Sequence, residues 1–99
     1  MELSAIQRAV AERTLAGDRE MGVGFLAMVL AEETGEVAEA ARKGDLAHAG
    51  KEAVDVAFMA LAIANLAGVD VEGALRAKFL DRPMEDVAKS WTDVTWKDR

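Results

Sequence analysis

Two helical stripes that carry acids where apolar residues belong constrain this chain more than any other feature. Leu26, Leu30, Glu33, Val37 and Ala40 follow the four-three-four-three spacing of one helix face, with Glu33 in its middle. Glu36 stands three residues further on. Glu52, Val56, Met59, Ile63 and Leu66 form a second face that opens on an acid, and Asp55 follows Glu52 at i+3. Residues three apart on a helix are neighbours, so each acid pair converges on one point. The linking stretch, Val37 to Lys51, is 15 residues long. It holds two further turns of the first helix, a turn at Gly44 and the opening of the second helix. An antiparallel hairpin of that length sets Glu33 and Glu36 level with Glu52 and Asp55.

The rest of the chain is helical too. Ala, Leu, Glu, Lys and Met dominate, Pro occurs once, and β-branched residues never alternate over a strand's length. The pattern predicts an all-α fold of four helices with a short fifth, in a single domain spanning residues 1–99. Ser4-Ala5-Ile6-Gln7 reads as a capping box. The helix behind it is expected to run to about Ala16, with Gly17 in the left-handed position beyond its end and a loop from Asp18 to Gly22. The second helix runs from about Val23 to Arg42 or Lys43, where cations meet the negative pole and Gly44 follows. The third spans Leu46 to Ala67 and stops at Gly68. Asp70 is the expected N-cap of a fourth, Val71 to about Leu80. Pro83 breaks the chain again and opens a final helix to Trp91.

Composition narrows the function. With 12 Lys plus Arg against 18 Asp plus Glu, the net charge of −6 argues against non-specific nucleic-acid binding. A phosphate-bearing ligand would need another source of positive charge, and a divalent cation on clustered carboxylates supplies one. The absence of Cys excludes a disulfide, a thiolate metal site and a Cys nucleophile. The start of the chain lacks the basic and apolar regions of a signal peptide, and no apolar run approaches the roughly 20 residues of a membrane span. A cytoplasmic protein without membrane contact is expected. Hydrophobic residues make up 52% of the chain, much of it Ala. That excess points to a bundle completed by a second copy, as a homodimer.

Four carboxylates crowded at a partly dry site cannot all stay ionised unaided, because like charges raise one another's pKa. All-oxygen ligation favours Mg²⁺ or Mn²⁺, with Glu33, Glu36, Glu52 and Asp55 as the ligands. A lone E-x-x-E on a helix is ordinarily a solvated face. Two such pairs, both on apolar stripes and spaced to meet, outweigh that reading.

Glu32-Glu33-Thr34-Gly35-Glu36 followed by Glu52-Ala53-Val54-Asp55 resembles the E-E-x-x-E … E-x-x-D signature of MazG-like nucleotide pyrophosphohydrolases. The similarity continues through Ile63–Asp70 and Glu72–Phe79 and covers approximately Leu3 to Arg82. The resemblance implies Mg²⁺-dependent hydrolysis of a nucleoside triphosphate to monophosphate and pyrophosphate, by water and without a covalent intermediate. It implies catalytic roles for Glu32, Glu33 and Glu36, with Glu32 binding a second ion or orienting the water. It also implies phosphate contacts from Lys78 and Arg82, and a homodimer or a four-chain assembly of two dimers. Some members carry a Lys four residues before the third acid, where this chain has His48. The related phosphoribosyl-ATP pyrophosphatases typically have Tyr-His shortly after the last acid and a Lys before the first. Here Val56-Ala57-Phe58-Met59 follow and Leu30-Ala31 precede, which puts that family second. A non-catalytic helical dimerisation module is the remaining alternative.

Weaker signals fill in the picture. Asn65 is a candidate substrate contact, though a hydrogen bond inside the bundle or across a dimer is the favoured reading. Phe25, Trp91 and Trp96 offer faces on which a base can stack, with core packing preferred for Phe25. His48 is expected to be solvated near the turn, and Met28 and Met59 to fill the core.

Overall fold

A computed structural model describes residues 1–91. Trp96 and the Trp91 side chain lie outside the described residues. The described chain is all-α: α1 (Leu3–Met21), α2 (Val23–Arg42), α3 (Leu46–Ala67), α4 (Val71–Leu75) and α5 (Met84–Trp91). The chain leaves α4 through a wider π-helical turn, Arg76–Leu80, closed by the Asp81 N–H donating to the Arg76 carbonyl at 2.7 Å. No single helix among the described residues is long and apolar enough to cross a membrane.

The centre of the fold is the α2–α3 hairpin, and its register follows from one turn. The Gly44 N–H donates to Ala41 O and the Asp45 N–H to Ala40 O, both at 3.0 Å, which closes the end of α2 as a Schellman motif. Gly44 has φ +76°, a conformation that a side chain disfavours. Asp45 then starts α3, its carboxylate accepting from the His48 N–H at 3.0 Å. The far end of α3 closes in the same way at Gly68, with Val69 N–H on Ala64 O. Both α2 and α3 thus keep the boundaries expected of them.

The first helix does not. It passes through Gly17 and ends at Gly22, whose N–H donates to Asp18 O at 2.8 Å and whose φ is +88°. A glycine inside a helix costs only about 1 kcal/mol relative to Ala, so Gly17 is no stop, and the expected loop over 18–22 is the last turn of α1. The capping box is also absent. Helix α1 starts two residues early with Glu2 as N-cap, and the Ser4 N–H is taken across the bundle by Glu72 Oε1 at 3.1 Å. Gln7 turns inward and is buried. Its amide donates to Asn65 Oδ1 (3.1 Å) and Val69 O (2.7 Å), and its Oε1 accepts from the Val71 N–H (3.0 Å). Asn65 returns the contact through Nδ2 to Gln7 O at 3.1 Å. The bundle hydrogen bond favoured for Asn65 is therefore present. Asp70 holds the N-cap position of α4 through its carbonyl, which accepts from Ala74, but its side chain makes no cap bond.

The buried apolar core is small: Val10, Leu26, Ala40, Leu61, Ala62 and Val87. Phe25 and Met28, expected inside, are exposed in the single chain, Met28 by 71%. They flank the Leu26–Leu30 stripe instead of belonging to it, so they point away from α3.

Because Gln7 satisfies three groups of the α3–α4 turn at once, replacing it leaves them without partners. Gln7→Met is expected to destabilise the fold by about 2 kcal/mol or more. Urea denaturation measures this directly, and a change within a few tenths of a kcal/mol contradicts it.

Candidate functional site

Packing α2 against α3 draws the acidic positions of both stripes into the same interface. Glu33 and Glu52 are half-buried, as are their stripe neighbours Val37 and Val56, while Glu36 stands at the open margin. Carboxylate oxygens of Glu33, Glu36 and Glu52 lie within 4.8 Å of one another. Glu33 Oε2 and Glu52 Oε2 are both buried and accept no hydrogen bond. An unpartnered buried carboxylate oxygen is costly, and here two of them lie beside a third acid.

Electrostatics agree with the geometry. The Glu36 carboxyl is pushed up to about 7, first by the hydrogen bond it shares with Glu52 and then by the charge of Glu33. Glu52 is held below the usual carboxylate range by the same hydrogen bond and by another from His48. Near pH 7 and below, the two acids hold one proton between them.

The fourth expected ligand, Asp55, stands one turn beyond Glu52 on α3. It is exposed and lies outside the group of three, and it contributes weakly to holding Glu52 ionised. Glu32 is exposed on α2, close enough for its charge to raise Glu36 slightly. Beside the acids opens a cavity of about 130 Å³ lined by Glu36, Glu39, Ala40, Lys43, His48 and Glu52. Its basic residues are Lys43 and His48. Lys43 Nζ pairs with Glu39 Oε1 at 3.3 Å, and Arg42 reaches the same oxygen at 2.8 Å.

Lys78 and Arg82, expected to contact phosphate, do not line this cavity. The Lys78 ammonium sits 5.3 Å from the Phe79 ring centre, and Arg82 Nε donates to Lys78 O at 2.9 Å. Asn65 is absent from the cavity too, its amide being engaged with Gln7. Sequence reading missed His48. Half-exposed at the turn, it is nonetheless bonded, Nε2 lying 3.0 Å from Glu52 Oε1. The i,i+4 spacing of His48 and Glu52 was the signal available for it.

The sequence model of the phosphoribosyl-ATP pyrophosphohydrolase family matches residues 6–78, most of the chain and all four acids. The chain belongs to that family. No curated protein matches it. The phosphoribosyl-ATP pyrophosphohydrolase family falls within the MazG-like all-α superfamily, so the resemblance to MazG-like proteins holds at that broader level, while the family itself is the one that residue patterns placed second. Its members are hydrolases that act on a phosphoric anhydride of a nucleotide.

If Glu36 owes its raised pKa to Glu52, removing that partner must lower it. A carboxyl-carbon NMR titration of the ion-free protein is expected to place Glu36 near pH 7, and in Glu52→Gln to return it towards 4.5. An unchanged midpoint in the variant would contradict the proton sharing.

Proposed function

We propose that this chain hydrolyses the phosphoric anhydride between the α- and β-phosphates of a nucleoside triphosphate, releasing pyrophosphate, with Mg²⁺ or Mn²⁺ held by Glu33, Glu36, Glu52 and Asp55. The observation that carries the reading is that Glu33 and Glu52, each with a buried, unpartnered oxygen, bring carboxylate oxygens within 4.8 Å of each other and of Glu36. Those donors fit a hard divalent cation. All are carboxylate oxygens, their spacing allows a common ligand, and a cation removes the repulsion that otherwise keeps a proton on Glu36. A partner protein's basic residue cannot easily reach oxygens that are already buried, which weighs against a non-catalytic module.

A cation bound there neutralises charge on phosphate oxygens and makes water a better nucleophile. The chain's own residues do the rest. Glu33 and Glu52 present fixed oxygens, and Glu36 gives up its shared proton when the site fills. Glu32, exposed one turn from Glu36, is proposed to orient the attacking water and accept its proton. Phosphoryl transfer asks for positioning and charge stabilisation more than for covalent help, so no enzyme-bound intermediate is invoked.

A second substrate has specific support. The family name specifies phosphoribosyl-ATP, and cleavage of its triphosphate is the same reaction on a larger nucleotide. The residues after Asp55 and before Glu32 favour the simpler nucleotide. Assaying pyrophosphate release from a panel of nucleoside triphosphates and from phosphoribosyl-ATP, with Mg²⁺, decides between them. Glu36→Gln and Glu52→Gln are expected to lose at least about 100-fold in kcat/KM, or roughly 2.7 kcal/mol of transition-state stabilisation, while keeping their helix content. A folded variant with full activity would end the proposal, as would a wild-type protein inert on every substrate.

A second copy of the chain is proposed to complete the bundle. An all-apolar cavity of about 300 Å³, lined by Leu3, Ala57, Ala60, Leu61, Val71 and Leu75, opens on the same stretch of α3 that exposes Val54 and Phe58. A monomer seldom leaves so much apolar surface in water. Light scattering is expected to give twice the 10.6 kDa chain mass or more, and Phe58→Lys to shift the population towards monomer. A wild-type monomer at micromolar concentration contradicts this.

A further inference from the structure

We infer that His48 is a positioning residue for the acid cluster, gripping one oxygen of Glu52 so that the other is left as a fixed ligand. This rests on the proposed cation site and adds a residue to it. Glu52 lies on a stripe whose other members are apolar, and its side chain is only 17% exposed. Its two oxygens have different surroundings: Oε1 is 3.0 Å from His48 Nε2, whereas Oε2 is buried and accepts no hydrogen bond. A glutamate held at one oxygen cannot swing away from two neighbouring acids that repel it. Carboxylates that ligate metals are commonly oriented in this way by a hydrogen-bond donor behind them.

The tether is itself anchored. Asp45 caps α3 by accepting from the His48 backbone N–H at 3.0 Å, which fixes where the helix starts. One turn later, His48 meets Glu52 at i,i+4, a spacing that puts two side chains side by side. The imidazole is 55% exposed and lines the cavity beside Glu36 and Glu52. Lys43, the other basic residue lining the cavity, is paired with Glu39 and with no oxygen of Glu52 among the ion pairs of the described residues.

The test uses Mn²⁺ alone as the probe, titrated calorimetrically into the full chain at about pH 8, so that no substrate or turnover enters the readout. His48→Ala is expected to weaken Mn²⁺ binding by about tenfold or more. His48→Gln, whose amide can donate to the same oxygen, is expected to recover most of that loss, which a merely structural effect on α3 would not do. Circular dichroism checks that both variants keep their helix content. If His48→Ala binds Mn²⁺ as tightly as the wild type while Glu52→Gln has lost it, the positioning role is overturned and the cation site stands. A His48→Gln variant that binds no better than His48→Ala overturns the positioning role in the same way. A wild-type protein that takes up no Mn²⁺ overturns the cation site and this inference together.

Discussion

Repulsion among three carboxylates at the α2–α3 interface is the constraint on which the rest of this structure turns. Glu33, Glu36 and Glu52 are brought within 4.8 Å by the same packing that buries Leu26 and Ala40, so the hairpin cannot close without crowding them. The chain answers with a Glu36 carboxyl pushed up to about 7 and a histidine on Glu52. Glu33 Oε2 and Glu52 Oε2 are nonetheless buried without a hydrogen-bond partner. A fold selected only for stability would have placed Leu at those positions, since apolar residues of similar volume usually serve a core at least as well as buried charge. Acids on two stripes are therefore a local conflict that stability alone does not explain.

How much of this was legible in the sequence depended on whether the signal was local. Helices α2 and α3 showed themselves through long, regular apolar spacing, and Gly44 and Gly68 end them where a positive φ is required. The acids showed themselves because they interrupt that spacing. The misreadings came from residues whose partners lie far along the chain. Ser4 and Gln7 have the letters of a capping box, yet their bonds run to Glu72, Asn65, Val69 and Val71, more than fifty residues away. No window on α1 alone reveals that. Gly17 suits the position beyond a helix end, but the helix runs through it, and the backbone leaves helical geometry at Gly22, where φ is +88°. Phe25 and Met28 were assigned to the core on residue type, when their angular position puts them beside the buried stripe.

His48 illustrates a different limit. Its spacing from Glu52 was visible, but a histidine near a turn is ordinarily solvated, and half of it is. What gives the contact meaning is that Glu52 is buried on its other side, a property of the hairpin and not of α3 alone. The expected basic pair, Lys78 and Arg82, shows the converse. Their resemblance to phosphate-binding residues came from sequence, while in the fold Lys78 lies within the π-helical turn against Phe79, and Arg82 reaches back to the Lys78 carbonyl.

Helix α3 divides the work of the molecule along its length. Its C-terminal end is tied to α1 by the reciprocal Gln7–Asn65 amide contact, a fully satisfied polar network of the kind that fixes one packing against its near alternatives. Its N-terminal end carries Glu52 and Asp55, where polar satisfaction is left incomplete. From Asn65 back to Glu52 is about 20 Å at the rise of an α-helix, so the stable network and the unsatisfied acids do not touch. Such separation has a physical advantage. The tied end sets the helix's rotation, and rotation decides whether Glu52 faces Glu33 or water, so the acids can stay under strain without the strain rearranging the bundle. The small core could not enforce that orientation alone, because its Val and Ala side chains leave few unique ways to interlock.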